Sequence, residues 1–127
     1  MKLTPLLIAA ALFAAPAANA RQPRGNDPGP TDCPLAVGFS SYGAGTDRTS
    51  RQAIDQLLAG DRGVRAVSRH VWGREGEVTL CVRTRSSADA ARLFHAARRL
   101  IPARPRGPVS LSTLGGLRYQ SPSPQRR

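Results

Sequence analysis

The spacing of apolar residues between residues 32 and 119 alternates between strand-like and helix-like periods, and this alternation constrains the fold most. Short continuous or alternating apolar runs predict strands, whereas apolar residues three and four apart predict amphipathic helices. By these rules the predicted strands cover residues 35–39, 64–72, 77–84 and 108–114, and the predicted helices cover 47–59 and 86–101. The element order is therefore strand, helix, strand, strand, helix, strand.

Residues that commonly begin and end helices support both predicted helices. Asp47 is a candidate N-cap of the first helix, and Ser86 with Asp89 three residues later is a capping pair for the second. Gly60 and Pro102 follow the two helical patterns and are expected to end them. Elements in this order are typical of a ferredoxin-like α+β sandwich, a four-stranded antiparallel sheet with two helices on one face.

The only two cysteines, Cys33 and Cys81, fall at the start of the first strand and within the third. In the predicted topology these strands are antiparallel neighbours, so a Cys33–Cys81 disulfide is geometrically sensible, and an isolated pair in an exported chain favours a bridge. A reactive free thiol is the alternative, but neither cysteine lies at a helix start or beside a histidine. In the third strand Val78, Leu80 and Val82 alternate with residues that we expect to face solvent.

The N-terminus has the pattern of a secretory signal peptide over residues 1–20. Lys2 precedes an apolar run, and Ala18-Asn19-Ala20 matches the small-residue cleavage pattern. A retained membrane anchor is the alternative, but the run is shorter than the roughly 20 residues of a span, and prolines interrupt it. The sequence therefore predicts a periplasmic or secreted protein with no stable membrane insertion after cleavage.

Three regions are predicted after residue 20. Residues 21–31 and 120–127 are rich in proline without apolar periodicity, so we expect a disordered leader and a disordered tail. Residues 32–119 between them form a single predicted α+β domain.

Positive charge is concentrated in the C-terminal part of the chain. The formal net charge is +11, and residues 83–127 contain ten arginines against one acidic residue, Asp89. Arg85, Arg92 and Arg99 recur every seven residues, which predicts one ridge on the second helix, and Arg104 and Arg106 extend it. Such a surface favours an anionic envelope component or an acidic protein as partner. The alternative is a charged helix face that only solvates the domain.

Nucleic acid fits this surface poorly as a partner. Trp72, Tyr42 and Tyr119 lie away from the arginine ridge, and the sheet lacks the stacking aromatic pair of RNA-binding domains with this element order.

A glycine-rich loop joins the first strand to the first helix and is a candidate site for a small anion. Its residues Tyr42, Gly43, Gly45 and Arg48 lie where a helix start offers free backbone N–H groups. A simple tight turn is the alternative. Acylphosphatases share this element order and bind phosphate in the corresponding loop with an arginine, for which Arg48 is a candidate by position. Their strand asparagine has no counterpart in the predicted domain, so the comparison is an analogy at the level of fold.

The predicted hairpin contains a candidate interface at Trp72 and Arg74, since Trp and Arg often anchor protein contacts. Packing of Trp72 in the core is the alternative. No catalytic residue, cofactor or metal site is predicted, because His70 and His95 are isolated from other ligands in the sequence.

The function hypothesis is a small exported binding module with a basic surface. The alternatives are an acylphosphatase-like phosphoryl hydrolase and an inhibitor resembling those protease prodomains that have this strand order.

Overall fold

The computed structural model describes residues 29–123, which form five strands and two helices. The strands are β1 (Leu35–Phe39), β2 (Val64–Trp72), β3 (Glu77–Thr84), β4 (Val109–Thr113) and β5 (Arg118–Gln120), and the helices are α1 (Arg48–Gly60) and α2 (Ser87–Arg99). The predicted signal peptide lies outside the described residues, as do residues 21–28 of the predicted leader and 124–127 of the predicted tail.

Side-chain caps begin both helices, as predicted. The Asp47 carboxylate accepts hydrogen bonds from the backbone N–H groups of Thr49 and Ser50, at 3.1 and 3.2 Å. The Ser86 hydroxyl accepts one from the Asp89 N–H at 3.1 Å. These bonds satisfy N–H groups that have no carbonyl partner within the helix.

The five strands form one antiparallel sheet in the order β2-β3-β1-β4-β5. The prediction of four strands was wrong by one, because β5 pairs with β4 through Leu111 and Tyr119 and their neighbours. β5 has only three residues and follows a glycine turn directly, so it is too short to show an alternating pattern. Its pairing depends on β4 and not on its own sequence.

One face of the sheet and both helices enclose the core. Alternate residues of β1, β3 and β4 are fully buried there, and α1 and α2 contribute their apolar sides to the same cluster. The largest fully buried members are Phe39, Leu35, Ile54, Leu80, Leu93 and Leu111. Burial of a side chain of this size contributes about 1.5–3 kcal/mol, so this layer provides most of the stability.

The other sheet face is partly covered near β3, where the sequence predicted a solvent-facing row. The predicted Cys33–Cys81 disulfide is present, and Thr79 and Cys81 are 8% and 2% exposed. The Trp72 Nε1 donates a hydrogen bond to the Thr79 hydroxyl at 3.1 Å. Gly29 packs so closely on the His70 ring that a Cβ there would lie 2.9 Å from His70 Cγ. Residues 29–33 therefore cross this face, and the disulfide fixes them there.

The folded domain extends past its predicted C-terminal boundary at residue 119. Gln120 belongs to β5, and Ser121 is buried. The Ser121 N–H donates to the Val109 carbonyl and the Ser121 hydroxyl accepts from the Val109 N–H, both at 2.9 Å. The first two residues of the predicted tail are thus part of the sheet edge.

Among residues 29–123, neither helix has the length and apolar content needed to cross a membrane.

Loss of the disulfide is expected to lower the free energy of unfolding by about 4 kcal/mol, since it closes a loop between residues 48 apart. The double variant Cys33→Ser with Cys81→Ser, compared with the oxidised chain in urea unfolding, measures this. A loss below about 1 kcal/mol would show that the closed loop does not restrict the unfolded chain as the entropy argument requires.

Candidate functional site

The predicted arginine ridge divides into two halves with different surroundings. Arg85 precedes α2, and its Nε donates to the Arg62 carbonyl at 2.7 Å. Arg92 bonds both oxygens of Asp61, at 2.7 and 2.8 Å, and Asp89 at 3.1 Å. The N-terminal half of the ridge is therefore already paired within the domain.

Asp61 is the partner that sequence reasoning missed. It lies just after α1, 31 residues from Arg92 in the chain, so nothing local in the sequence connects the two. Gly63 permits the approach, because a Cβ there would lie 2.7 Å from Arg92 Nη2. The hydrogen bonds from Arg92, followed by that from the Gly63 N–H, lower the pKa of Asp61 to about 2. Arg92 also lowers the pKa of Asp89, and its own pKa is raised by Asp61 and then Asp89.

The end of α2 and the loop after it contain four arginines whose side chains have no ion-pair partner within the described residues, and we call them the basic surface: Arg98, which was not part of the predicted ridge, with Arg99, Arg104 and Arg106. All four side chains are exposed, and none forms an ion pair within the part of the chain that the structure describes. Asp89 is the last acidic residue in the sequence. The Arg98 guanidinium carbon lies 4.8 Å from the centre of the Tyr119 ring, which orients the guanidinium while leaving its charge uncompensated. Tyr119 thus lies against these arginines, and the prediction that it lies away from them was wrong, because β5 brings it beside α2.

The loop that carries Arg104 and Arg106 is fixed to the rest of the fold. The Arg106 N–H donates to Asp47 at 3.2 Å, and the Ser40 N–H donates to the Pro108 carbonyl at 2.9 Å. Gly107 lies so close to Ser40 that a Cβ at this position would be 2.2 Å from the Ser40 carbonyl oxygen, so a larger residue would clash there. The two arginines are thus presented from an anchored backbone close to the end of α2.

The predicted loop site is occupied by the protein's own side chains. The N–H groups of Gly43 and Gly45 donate to the Ser41 hydroxyl at 2.9 and 3.0 Å. Gly45 N–H also donates to the Glu75 carboxylate at 3.1 Å, and the Ser41 hydroxyl donates to the same carboxylate oxygen. Positive φ angles of 118° and 91° explain why glycine is needed at both positions.

Glu75 therefore joins the loop to the β2–β3 hairpin. Its pKa is lowered by the Ser41 hydroxyl first and the Gly45 N–H second. Tyr42 is 45% exposed, and the Arg48 side chain is exposed and forms no hydrogen bond or ion pair within residues 29–123. Of the four predicted loop residues, the two glycines shape the turn and the two larger side chains project from it.

Only one of the two residues of the candidate interface on the hairpin is fully exposed. Trp72 is partly buried, and its Nε1 bonds the Thr79 hydroxyl. Arg74 is exposed at the turn. The Glu75 N–H donates to the Glu77 carboxylate at 2.8 Å, which closes the turn internally. Trp72 thus belongs mainly to the covered part of the sheet.

A cavity lies beside the start of α2, and the described residues contain no cluster of metal ligands. No group of three or more His, Cys, Asp or Glu side chains could hold a metal ion within residues 29–123. A largely apolar cavity of about 360 Å³ opens between the start of α2 and the β4–β5 turn, where it is lined by Ala90, Leu114 and Leu117 among others. It lies at the opposite end of α2 from the basic surface.

Replacing Asp61 with asparagine is expected to destabilise the domain by about 1 kcal/mol at pH 7, a modest value because solvent screens the half-exposed Arg92. The folded pKa of Asp61 lies below its ordinary value of 3.8, so the ion pair stabilises above that pH and is lost as the pH falls towards 2. The free energies of unfolding of the unmodified chain and of the Asp61→Asn variant, measured from pH 7 to pH 2, should converge as the pH falls. The weakly paired, exposed Asp32 provides the control Asp32→Asn, and an equal effect of both substitutions would contradict the assignment.

Replacing Glu75 with alanine is expected to speed hydrogen exchange of the Gly45 amide about fivefold, since that amide loses one net hydrogen bond. Amide exchange followed by NMR measures the change, with Arg74→Ala at the same turn as the control. If both variants leave the Gly45 amide equally protected, Glu75 does not hold the loop.

Comparisons with known protein families, with curated proteins and with solved structures find no significant match to this chain. Its function is therefore inferred from the charges and contacts of the basic surface, the loop and the hairpin.

Proposed function

We propose that this protein is a small exported binding module whose basic surface, Arg98, Arg99, Arg104 and Arg106, holds an anionic partner. One observation carries the proposal. None of these four guanidinium groups forms an ion pair within the described residues, whereas Arg92, on the same helix as Arg98 and Arg99, is paired with Asp61 and Asp89. Unpaired positive charge grouped on an anchored backbone raises the local concentration of anions.

The residue type and position both support anion binding. Arginine presents a planar fork of donors that matches carboxylate and phosphate groups in pairs of hydrogen bonds. The negative end of the α2 helix dipole favours the cations of its last turn, Arg98 and Arg99. The partner is expected to be an anionic component of the cell envelope or an acidic protein surface.

The proposed location is the periplasm or the exterior. Support comes from the signal-like pattern of residues 1–20 and from the Cys33–Cys81 disulfide, since disulfides persist mainly in oxidising compartments. The finer fold assignment is also a proposal: a ferredoxin-like sandwich with an added edge strand. The strand order β2-β3-β1-β4 and the helices on one face support it.

The two alternative functions have less support in the contacts. A phosphoryl hydrolase would need free N–H groups in the loop after β1, and those of Gly43 and Gly45 already bond Ser41 and Glu75. An inhibitor that acts through the open sheet face would need that face accessible, and residues 29–33 cross part of it. Both observations favour a binding function of the arginine surface.

Charge reversal tests the proposal. The triple variant Arg99→Glu, Arg104→Glu, Arg106→Glu is expected to lose capture of partners from envelope extract, and its affinity for a heparin column should fall. Binding of the unmodified chain should disappear near 1 M salt, where the Debye length is about 3 Å. Elution position and captured material are measured for both chains.

The control carries the same change in net charge elsewhere. Arg62→Glu, Arg65→Glu and Arg74→Glu replace exposed arginines without an ion pair in the described chain, so this variant should retain the captured partner. Equal losses in both variants would mean that only net charge matters, and the proposal would be wrong.

A further inference from the structure

Exposed apolar residues lie between the arginines of the basic surface. Two of these arginines end α2, and three exposed apolar residues follow within the stretch before the next arginine, Arg104. The three are Leu100, Pro102 and Ala103, which we call the apolar tip. Leu100 is 39% exposed. Positive charge therefore flanks a short apolar patch on both sides.

The end of the helix fixes Leu100 in this exposed position. The Leu100 N–H donates to the Ala97 carbonyl at 3.0 Å, and the Ile101 N–H donates to the Arg98 carbonyl at 3.2 Å. Ile101 is 8% exposed and belongs to the hydrophobic core. Because the core takes Ile101, the adjacent Leu100 is left outside it. A hydrogen-bonded backbone thus presents Leu100 to solvent.

The carboxylates that bond the neighbouring loops do not neutralise the basic surface. Asp47 is 7% exposed, and its carboxylate accepts hydrogen bonds from three backbone N–H groups, among them that of Arg106. The Glu75 carboxylate bonds the loop after β1. Neither carboxylate forms an ion pair with an arginine of the basic surface. The charge of these arginines is therefore available to an anion outside the domain.

We propose that the basic surface binds the phosphate headgroups of an anionic bilayer, with the apolar tip at the boundary between headgroups and acyl chains. This inference rests on the proposed function and names its partner. The arginine fork matches phosphate oxygens, and each arginine close to an anionic bilayer strengthens binding about fivefold. Apolar side chains that enter the interface add to this attraction. The attachment is peripheral and reversible.

The apolar tip favours a lipid surface over other anionic partners. A soluble anion or an acidic polysaccharide would pair with the arginines but would give the exposed Leu100 no apolar contact. An acidic protein would need an apolar patch placed among its carboxylates to match the tip. A bilayer interface has phosphates next to apolar chains at every point, so it satisfies both kinds of residue without a matched shape.

Sedimentation with lipid vesicles tests the inference on the full oxidised chain. Binding to vesicles of phosphatidylglycerol and phosphatidylcholine in equal parts should be at least about tenfold stronger than binding to phosphatidylcholine alone, and it should disappear near 1 M salt. Arg104→Gln with Arg106→Gln should weaken binding to the anionic vesicles about twentyfold. The matched control is Arg62→Gln with Arg65→Gln, at exposed arginines outside the basic surface, and it should weaken binding less than about fivefold. Equal losses in the two variants, or equal binding to both kinds of vesicle, would contradict the inference.

Substitutions at Leu100 distinguish a bilayer from other anions. Leu100→Ser should weaken binding to the anionic vesicles about fivefold while the affinity for a heparin column stays unchanged. Leu100→Trp should strengthen vesicle binding about threefold, a gain that a misfolded variant would not show. Leu114→Ser, at a leucine that is 64% exposed by the β4–β5 turn, is the control and should change neither affinity. Vesicle binding that is insensitive to both Leu100 substitutions would overturn the role of the apolar tip and with it the inference.

Failure of this inference is distinguishable from failure of the proposed function. A chain that binds heparin and captures envelope material through its arginines, but does not bind anionic vesicles, has another anion as partner, and the inference is then wrong. A chain that binds none of these contradicts both. Inorganic phosphate, titrated and followed by NMR, should shift the amides of the basic surface no more than chloride at equal ionic strength. A saturating response to phosphate would assign the arginines to a free anion and would also overturn the inference.

Discussion

The rest of the structure depends on β1, a strand of five residues held between β3 and β4. Leu35, Val37 and Phe39 are fully buried, and every residue of β1 has a register partner on both sides. The disulfide is attached just before this strand and the glycine loop begins just after it. Because β1 has a strand on each side, it fixes the segment that enters it and the segment that leaves it. The first segment carries the disulfide and the second is the glycine loop, so β1 positions both.

The acidic residues decide which arginines can act on other molecules. Asp55 and Asp61 lie on or next to α1 and bond Arg69 and Arg92 across the fold. Beyond Asp89 the sequence has no acid, so the end of α2 and the loop after it contain no carboxylate. The Asp47 carboxylate that reaches this loop bonds the Arg106 backbone N–H and the start of α1, and it forms no ion pair with the arginines. The same helix therefore has a neutralised start and an uncompensated end. Net charge alone does not distinguish these two halves, because the distinction depends on which carboxylates pack against them.

Much of the fold follows from local patterns in the sequence. The two N-caps and the pairing of the only two cysteines each depend on few residues or on one possible partner, and the structure has all of them. The predicted solvent-facing row of β3 was wrong at Thr79 and Cys81, because residues 29–33 cover it. β5 was missed because three residues carry no periodicity. The candidate site was less predictable. Arg85 lies before α2 and not on it, and the roles of Asp61 and Glu75 depend on contacts over 31 and 30 residues.

The sequence by itself determined the order of the first six elements, the helix starts, the disulfide and the excess of positive charge from residue 83 onwards, because each depends on local spacing or on composition. The tertiary structure alone decided that Glu75 fills the glycine loop, that Asp61 neutralises Arg92, and that residues 29–33 cover part of the sheet. It also decided that Leu100 is left exposed beside the buried Ile101 at the end of α2. Hydrogen bonds, ion pairs and burial act over a few ångströms in space, and only the packing of the strands and helices brings these distant residues within that range.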